Sequence, residues 1–151
     1  MTLRILTGIS LAVAAGFALS YVITMGNLFS YLVRNGKEDF FGNTYAIFRK
    51  NSRAKYLYGI FLPGLPAIFG ILSLFDKASG TRLPLIAAIM IFPVYYTLLH
   101  RPTKFAMIEE RLNSGKALSV EEKKLYIRYN LPLHITLGLL YLISSLMIFF
   151  L

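Results

Sequence analysis

Residues 131–151 read LPLHITLGLLYLISSLMIFFL, an apolar stretch that contains no charged side chain. A helix needs about 20 such residues to cross about 30 Å of hydrocarbon. Three further stretches of similar character lie at about 5–25, 57–75 and 83–99. Since only helices and closed barrels satisfy the backbone inside a bilayer, the sequence predicts an all-α integral membrane protein, with one four-helix transmembrane bundle over residues 1–151.

The composition agrees with this prediction. Of the 151 residues, 56% are hydrophobic, against roughly 45–50% in soluble domains. The first apolar stretch follows Arg4 as a signal peptide would, but it continues uncharged to Val33, whereas signal cores span only about 7–15 residues. We therefore expect a retained span. The chain has no cysteine, which excludes disulfides, thiolate nucleophiles, iron–sulfur clusters and cysteine-ligated zinc.

The net charge of +9 is distributed unevenly around the spans. Of the 16 Lys and Arg residues, only Arg4, Lys77 and Arg82 lie at one end, and the others lie in residues 34–55 and 101–128. By the positive-inside rule, the two larger loops are cytoplasmic and both termini lie on the opposite side. Because no nucleic-acid-binding module is recognisable, the expected partner of this charge is the lipid bilayer, and no nucleic-acid partner is expected.

Both large loops contain signals for helices, which predicts helical cytoplasmic extensions of the bundle. Residues 40–48 keep an aromatic face beside basic residues, which suits an interfacial helix or an extension of span two. Residues 104–112 have a helical pattern that Gly115 would stop. Ser119 and Glu122 form a capping-box pattern, so a new helix is expected to begin there and continue into span four.

Two patterns within the spans concern packing. Gly8, Ala12, Gly16 and Ser20 are four apart, which favours either a self-association face or packing against a neighbouring span of the same chain. In residues 62–66, LPGLP, two prolines remove backbone donors. This favours a kink that opens a cavity between helices, or a discontinuous helix whose freed carbonyls bind an ion. The short loop 76–82 predicts that spans two and three are antiparallel neighbours.

Polar residues collect where span three ends and span four begins. Tyr96 and His100 are four residues apart and share a helix face. On span four, Tyr126, Asn130 and His134 share a face by the same spacing. Both histidines are therefore expected near the same membrane edge, where polar groups usually bind, relay or pair.

Three interpretations of these residues stay open. The first is an interfacial belt that anchors helix ends. The second is a pocket for a small aromatic or lipid-like molecule, with His134 as the catalytic acid or base and Asn130 as an orienting or oxyanion-type donor. The third is ligation of haem or a metal by the two histidines. No metal site or other cofactor is predicted, and haem is the minor alternative. The candidate ligand-binding residues are His100, Tyr96, Tyr126 and Arg101.

Residues 126–134, YIRYNLPLH, resemble the signature of the anthrone-oxygenase-like family of small four-span membrane proteins. That signature is an aromatic residue, a polar helical turn, an Asn and then a His that enters the last span. Residues 101–102, RP, are similar to the family's exit from the third span, and residues 16–20, GFALS, to part of its first span. The chain departs from the family in having no tryptophan near Asn130, Thr-Lys in place of Asn at 103–104, and no Arg shortly after the His. The resemblance implies the fold and, less directly, an oxygenase reaction.

The sequence thus predicts a small membrane protein that binds or oxidises a hydrophobic small molecule in a cytoplasmic-side cavity. The alternative is a structural or accessory subunit of a larger membrane complex, for which the small-residue face of span one and the basic loops are equally suited. Residues 108–113, IEERLN, are faintly similar to the glutathione-binding motif of membrane glutathione transferases. They lie in a loop rather than in a bundle helix, so that interpretation is rejected.

Overall fold

The computed structural model describes residues 2–76 and 82–150, and within them all regular structure is helical. Four of the described helices are long and apolar enough to cross a membrane, which confirms the predicted helical bundle. We number six helices in chain order. They are α1 (Thr2–Arg34), α2 (residues 41–51), α3 (Tyr56–Phe75), α4 (Leu83–His100), α5 (Phe105–Asn113) and α6 (Val120–Phe150).

Each long helix contains the described part of one of the four apolar stretches. The helix α1 packs most extensively against α6 and then against α3, while α4 packs against α3 and α6. The predicted neighbourhood of spans two and three is therefore confirmed. The loop residues 77–81 between them, which include Lys77 and Gly80, lie outside the described residues, as does Leu151.

Small residues let α1 and α6 approach each other closely. A Cβ atom added at Gly138 would lie 2.8 Å from Cγ of Leu19 and 3.5 Å from the carbonyl oxygen of Ala15. Ala15 and its neighbour Ala14 are buried on the facing side of α1. In a membrane, where both lipid and side chains are apolar, this close van der Waals packing is a main source of helix association.

Of the four small residues predicted to form a packing face on span one, Gly8 packs against another helix of the same chain. A Cβ atom at Gly8 would lie 2.7 Å from the ring of Phe149, but Ala12, Gly16 and Ser20 are exposed. The interpretation as packing within the same chain is therefore wrong at these three residues. Four helical residues advance about 40° beyond a full turn, so a row at this spacing rotates away from the neighbouring helix.

The prolines of α3 widen the helix without ending it. Pro63 lies in a π-helical turn, Ile60–Gly64, and the helix continues past Pro66 to Phe75. The discontinuous helix is therefore wrong, because a wider turn tolerates the missing N–H and the ring of proline. Further π-helical turns occupy Val22–Gly26 of α1 and Tyr96–His100 of α4.

The two short helices α2 and α5 cover the end of the bundle that carries residues 35–55 and 101–119, which we call the basic end. Non-helical Ser52 separates α2 from α3, so α2 is a separate helix rather than an extension of span two. Its Phe41 is fully buried, with its ring 4.8 Å from the ring of Phe29 in α1. The aromatic face predicted for this loop thus packs onto the bundle.

Local signals set the ends of α5 and α6 as predicted. After α5, Gly115 has a φ of +72°, a conformation that favours glycine. A Cβ atom there would lie only 2.6 Å from Cα of Gly42 in α2, so two backbones meet at this point. At the start of α6, the backbone N–H of Ser119 donates to Glu122 over 2.8 Å, and the N–H of Glu122 donates to Ser119 Oγ over 3.2 Å. This confirms the capping box.

Candidate functional site

A cavity of about 260 Å³ lies at the basic end, where α1, α2, α3, α5 and α6 meet. Six phenyl and phenol rings form much of its wall. They belong to Phe17, Tyr21, Phe29, Tyr45, Phe48 and Tyr58. The polar lining residues are Arg49, Glu109, Asn113 and His134.

The aromatic wall is held by contacts between its own rings. The rings of Phe17 and Tyr58 meet edge to face with centroids 4.9 Å apart, which joins α1 to α3. The rings of Phe29 and Tyr45 meet in the same way at 4.8 Å, which joins α1 to α2. Both arrangements suit the quadrupoles of aromatic rings. These ring contacts therefore join three consecutive helices into one wall.

His134 offers the cavity a nitrogen that can accept a proton. Its Nδ1 lies 2.7 Å from the backbone carbonyl oxygen of Asn130, one turn earlier in α6. A carbonyl oxygen only accepts hydrogen bonds, so Nδ1 carries the proton and Nε2 of the neutral ring keeps its lone pair. The predicted role of His134 as an acid or base is compatible with this tautomer.

Asn130 is fully buried and organises the wall behind the cavity. Its Nδ2 donates to the carbonyl oxygen of Gly26 and to Oγ of Ser30, both over 2.9 Å, and its Oδ1 accepts from Tyr21 Oη over 3.1 Å. Both amide hydrogens are committed to α1, so none is left to stabilise an oxyanion in the cavity. Of its two predicted roles, the orienting one is compatible with these hydrogen bonds.

Tyr21 links Asn130 to His134. Its ring stacks on the imidazole of His134 with centroids 4.1 Å apart, while its hydroxyl donates to Asn130. Tyr126 is also buried, and its ring stacks on that of Phe105 with centroids 5.4 Å apart. Tyr126 therefore supports the wall from behind and does not line the cavity.

Glu109 places a carboxyl group among the aromatic rings. It is only partly buried because it faces the cavity. Loss of solvation raises the pKa of this carboxyl to about 7, with Arg49 opposing the shift and Glu110 adding to it. Arg49 donates to Glu110 over 2.8 Å, so its closest ion pair is with the exposed carboxylate rather than with Glu109. A group with this pKa can release or take up a proton near neutral pH.

The structure separates the candidate residues of α4 from the cavity. The Phe105 ring of α5 packs against both imidazoles, with centroids 5.4 Å from His100 and 6.1 Å from His134. Tyr96 stacks on His100 at 5.4 Å, so the predicted shared face is present. Tyr96 and Arg101 line a different, shallow groove on the outside of α4.

Several cavity residues were not among the candidates from the sequence. Glu109 and Asn113 are four residues apart on α5, and Tyr45 and Arg49 are four apart on α2, so each pair shares one helix face. These spacings are the signal in the sequence by which the four residues could have been identified. Among the described residues, no group of three or more His, Cys, Asp or Glu side chains is placed to hold a metal ion.

Comparisons of the chain with protein-family models, with curated proteins and with solved structures gave no match.

Proposed function

We propose that the protein binds a compact aromatic molecule in the cavity and exchanges a proton with it. The observation that supports this most is the combination of six aromatic rings with an imidazole that has an unprotonated Nε2. Ligand sites are typically apolar concavities with a few polar groups that set orientation. The same combination of apolar wall and polar groups occurs here.

The size of the cavity suits a molecule of a few fused rings. Sites for drug-sized ligands measure roughly 300–1,000 Å³, and this cavity, at about 260 Å³, is slightly smaller. A planar ligand would stack on the wall, and aromatic pairs add about 0.5–1.5 kcal/mol each beyond the area they bury.

The proposed proton exchange uses His134 and Glu109. His134 Nε2 accepts a proton from a phenol or an enolisable aryl ketone, while Asn130 and Tyr21 hold the imidazole in place. Glu109 serves as the second exchanging group, because its pKa of about 7 is close to the working pH. Deprotonation of the enolisable ketone leaves an electron-rich anion that molecular oxygen can oxidise. The CH2 carbon becomes a carbonyl, one oxygen atom enters it, and the other leaves as water. This oxidation rests on the resemblance of residues 126–134 to the anthrone-oxygenase-like family.

The basic end is proposed to face the cytoplasm, because it carries most of the Lys and Arg residues. The ligand would then bind on the cytoplasmic side of the membrane, beneath α2 and α5. The test is labelling of single cysteines, introduced at the exposed positions Thr2 and Lys50, by an impermeant reagent in intact cells. Only the cysteine at Thr2 should react. Reaction of the cysteine at Lys50 would reverse the proposed orientation.

The test of ligand binding uses purified protein and 2-naphthol, a phenol that becomes a strong acid in its excited state and emits differently as naphthol and naphtholate. We expect binding with naphtholate emission in the wild type. The double variant His134→Gln/Glu109→Gln should keep the binding and lose the naphtholate emission, because both proton acceptors of the cavity are then removed. The matched control is His100→Gln, which changes the histidine outside the cavity and should behave like the wild type. Absence of binding to the wild type, or naphtholate emission that survives in His134→Gln/Glu109→Gln, would refute the proposal.

The second candidate function is assembly with another membrane subunit or with a second copy of the chain. Its supporting observation is that Ala12, Gly16 and Ser20 are exposed on α1, with nothing within 4 Å of a Cβ atom at Gly16. Small residues permit a close helix contact. Purification in mild detergent should then yield a partner, or a second copy, at fixed stoichiometry. A monomer at every concentration and without partners would contradict this function.

A further inference from the structure

A groove on the outside of α4 is lined by residues that do not line the cavity. Tyr96, Arg101, Lys104, Ala106 and Met107 line it, and we call it the α4 groove. It lies where the apolar helix α4 ends and the basic end of the bundle begins.

The turn after α4 brings two basic residues, Arg101 and Lys104, to the same groove. The backbone N–H of Arg101 donates to Tyr96 over 2.8 Å, and that of Lys104 donates to Arg101 over 3.1 Å. Lys104 has a φ of +56°, in the left-handed region that non-glycine residues seldom adopt. The chain thus holds a lysine in an unfavourable backbone conformation at the point where its side chain lines the groove.

Both cations lack an acidic partner. The ion pairs of the basic end join Arg49 to Glu110, Arg111 to Glu122 and Lys123 to Glu38. Arg101 and Lys104 are exposed, and no carboxylate among the described residues pairs with either of them. Two unpaired cations that share one concave surface favour a negatively charged ligand with several acceptor oxygens.

The apolar part of the groove indicates where the rest of that ligand lies. Tyr96 and Met107 are 42% and 54% exposed, which leaves apolar surface beside the cations. Phe92 stacks on Tyr96 one turn deeper along α4, with ring centroids 6.2 Å apart. A track of rings therefore leads from the two cations along the membrane-spanning helix.

We propose that the α4 groove binds the phosphate headgroup of an anionic phospholipid, with an acyl chain lying along Tyr96 and Phe92. Arg101 and Lys104 supply the charge and the hydrogen-bond donors, and the exposed Tyr96 lies where the headgroup joins the acyl chain. The apolar track selects a lipid over a free phosphate ion. This site is separate from the cavity, and its test does not depend on the proposed function.

The experiment measures lipid binding by native mass spectrometry of the purified protein in non-ionic detergent. Phosphatidylglycerol, phosphatidylcholine and inorganic phosphate are the three probes. We expect phosphatidylglycerol to bind at least about tenfold more tightly than phosphatidylcholine. Inorganic phosphate at millimolar concentration should not displace it. The Arg101→Gln/Lys104→Gln variant should lose most of this preference.

The matched control is Lys116→Gln/Lys50→Gln, which removes the same charge from exposed positions of the basic end outside the groove. It should keep the preference to within about threefold. A further variant, Lys104→Gly, suits the left-handed backbone and should weaken lipid binding without lowering the unfolding temperature. Equal losses in the two double variants would indicate a general surface-charge effect and overturn the proposal. So would displacement by inorganic phosphate, or a wild type that does not distinguish the two lipids.

Discussion

The imidazole of His134 lies against the phenol ring of Tyr21, with centroids 4.1 Å apart and planes inclined by 30°. Both residues also hydrogen-bond Asn130: His134 donates to its backbone oxygen, and Tyr21 donates to its side-chain oxygen. The cavity-facing base on α6 is thereby fixed to α1. Its position depends on the contact between the two helices that pack most extensively.

Asn130→Ala should be the most destabilising polar substitution in the bundle. It removes the partner of Tyr21, Ser30 and the Gly26 carbonyl, all of them buried. A buried polar group that loses its partner costs about 1–3 kcal/mol, so we expect a loss of at least about 2 kcal/mol. Thermal unfolding in detergent measures it. Asn35→Ala is the control, since Asn35 is exposed and its side chain donates only to Tyr31 of the preceding helix turn. An equal loss in the two variants would contradict the role of Asn130.

Tyr21→Phe should separate the two contacts of this tyrosine. The variant keeps the ring that stacks on His134 and removes the hydroxyl that donates to Asn130. We expect a loss of about 1 kcal/mol in stability, with 2-naphthol still bound. Tyr21→Ala also removes the ring and should weaken binding as well, by about tenfold. If Tyr21→Phe weakened binding as much as Tyr21→Ala, the stacking interaction would not be what positions the imidazole.

Glu109→Gln should change how stability depends on pH. Burial raises the pKa of the Glu109 carboxyl from 4.5 to about 7, so the folded protein binds this proton more tightly than the unfolded chain does. The folded state therefore loses stability as the pH rises between these values. Glutamine does not ionise, so the Glu109→Gln variant does not lose this stability as the pH rises. We expect equal unfolding temperatures below about pH 4.5 and a more stable variant above about pH 7, by at most about 3 kcal/mol.

The control for this pH dependence is Glu121→Gln, which changes an exposed carboxylate at the start of α6. Above about pH 7 this variant should not be more stable than the wild type, because a carboxylate in the first turn of a helix does not destabilise it. A Glu109→Gln variant that did the same would show that the Glu109 carboxyl ionises without a penalty in the folded protein.

Gly138→Leu should disrupt the contact between α1 and α6. A side chain at this position begins 2.8 Å from Leu19, and overpacking of this kind typically costs about 1–3 kcal/mol. Gly16→Leu makes the same change on α1, where nothing lies within 4 Å, and should not destabilise the monomer, because leucine favours a helix more than glycine does. Unfolding of the two variants at low protein concentration compares them. Equal stability of both would mean that the close approach at Gly138 does not hold the bundle together.

The sequence predicted those parts of the fold that depend on local pattern. The four spans follow from apolar length, and the capping box at Ser119 and Glu122 follows from residues three apart. The spacing of Asn130 and His134 also placed them on one face, and their hydrogen bond spans that single turn. In each case the partners are neighbours along one helix, where spacing determines geometry.

The cavity could not be predicted in this way, because its wall comes from helices that are distant in sequence. Tyr45 and Glu109 meet only because α2 and α5 fold over the same end of the bundle. His100 lies outside the cavity for a related reason. The turn after α4 returns the chain so that Phe105 packs against both histidines, and no spacing within α4 or α6 signals that insertion.

The contact between Gly42 and Gly115 has a consequence for how ligand preference could change over evolution. A Cβ atom at Gly115 would lie 2.6 Å from Cα of Gly42, so a side chain there would drive α2 away from the end of α5. The cavity beneath these helices would widen while every residue in its wall stayed the same. A substitution remote from the ligand would thus admit larger molecules. The size of the accepted ligand could then change during evolution without any change in the residues that act on it.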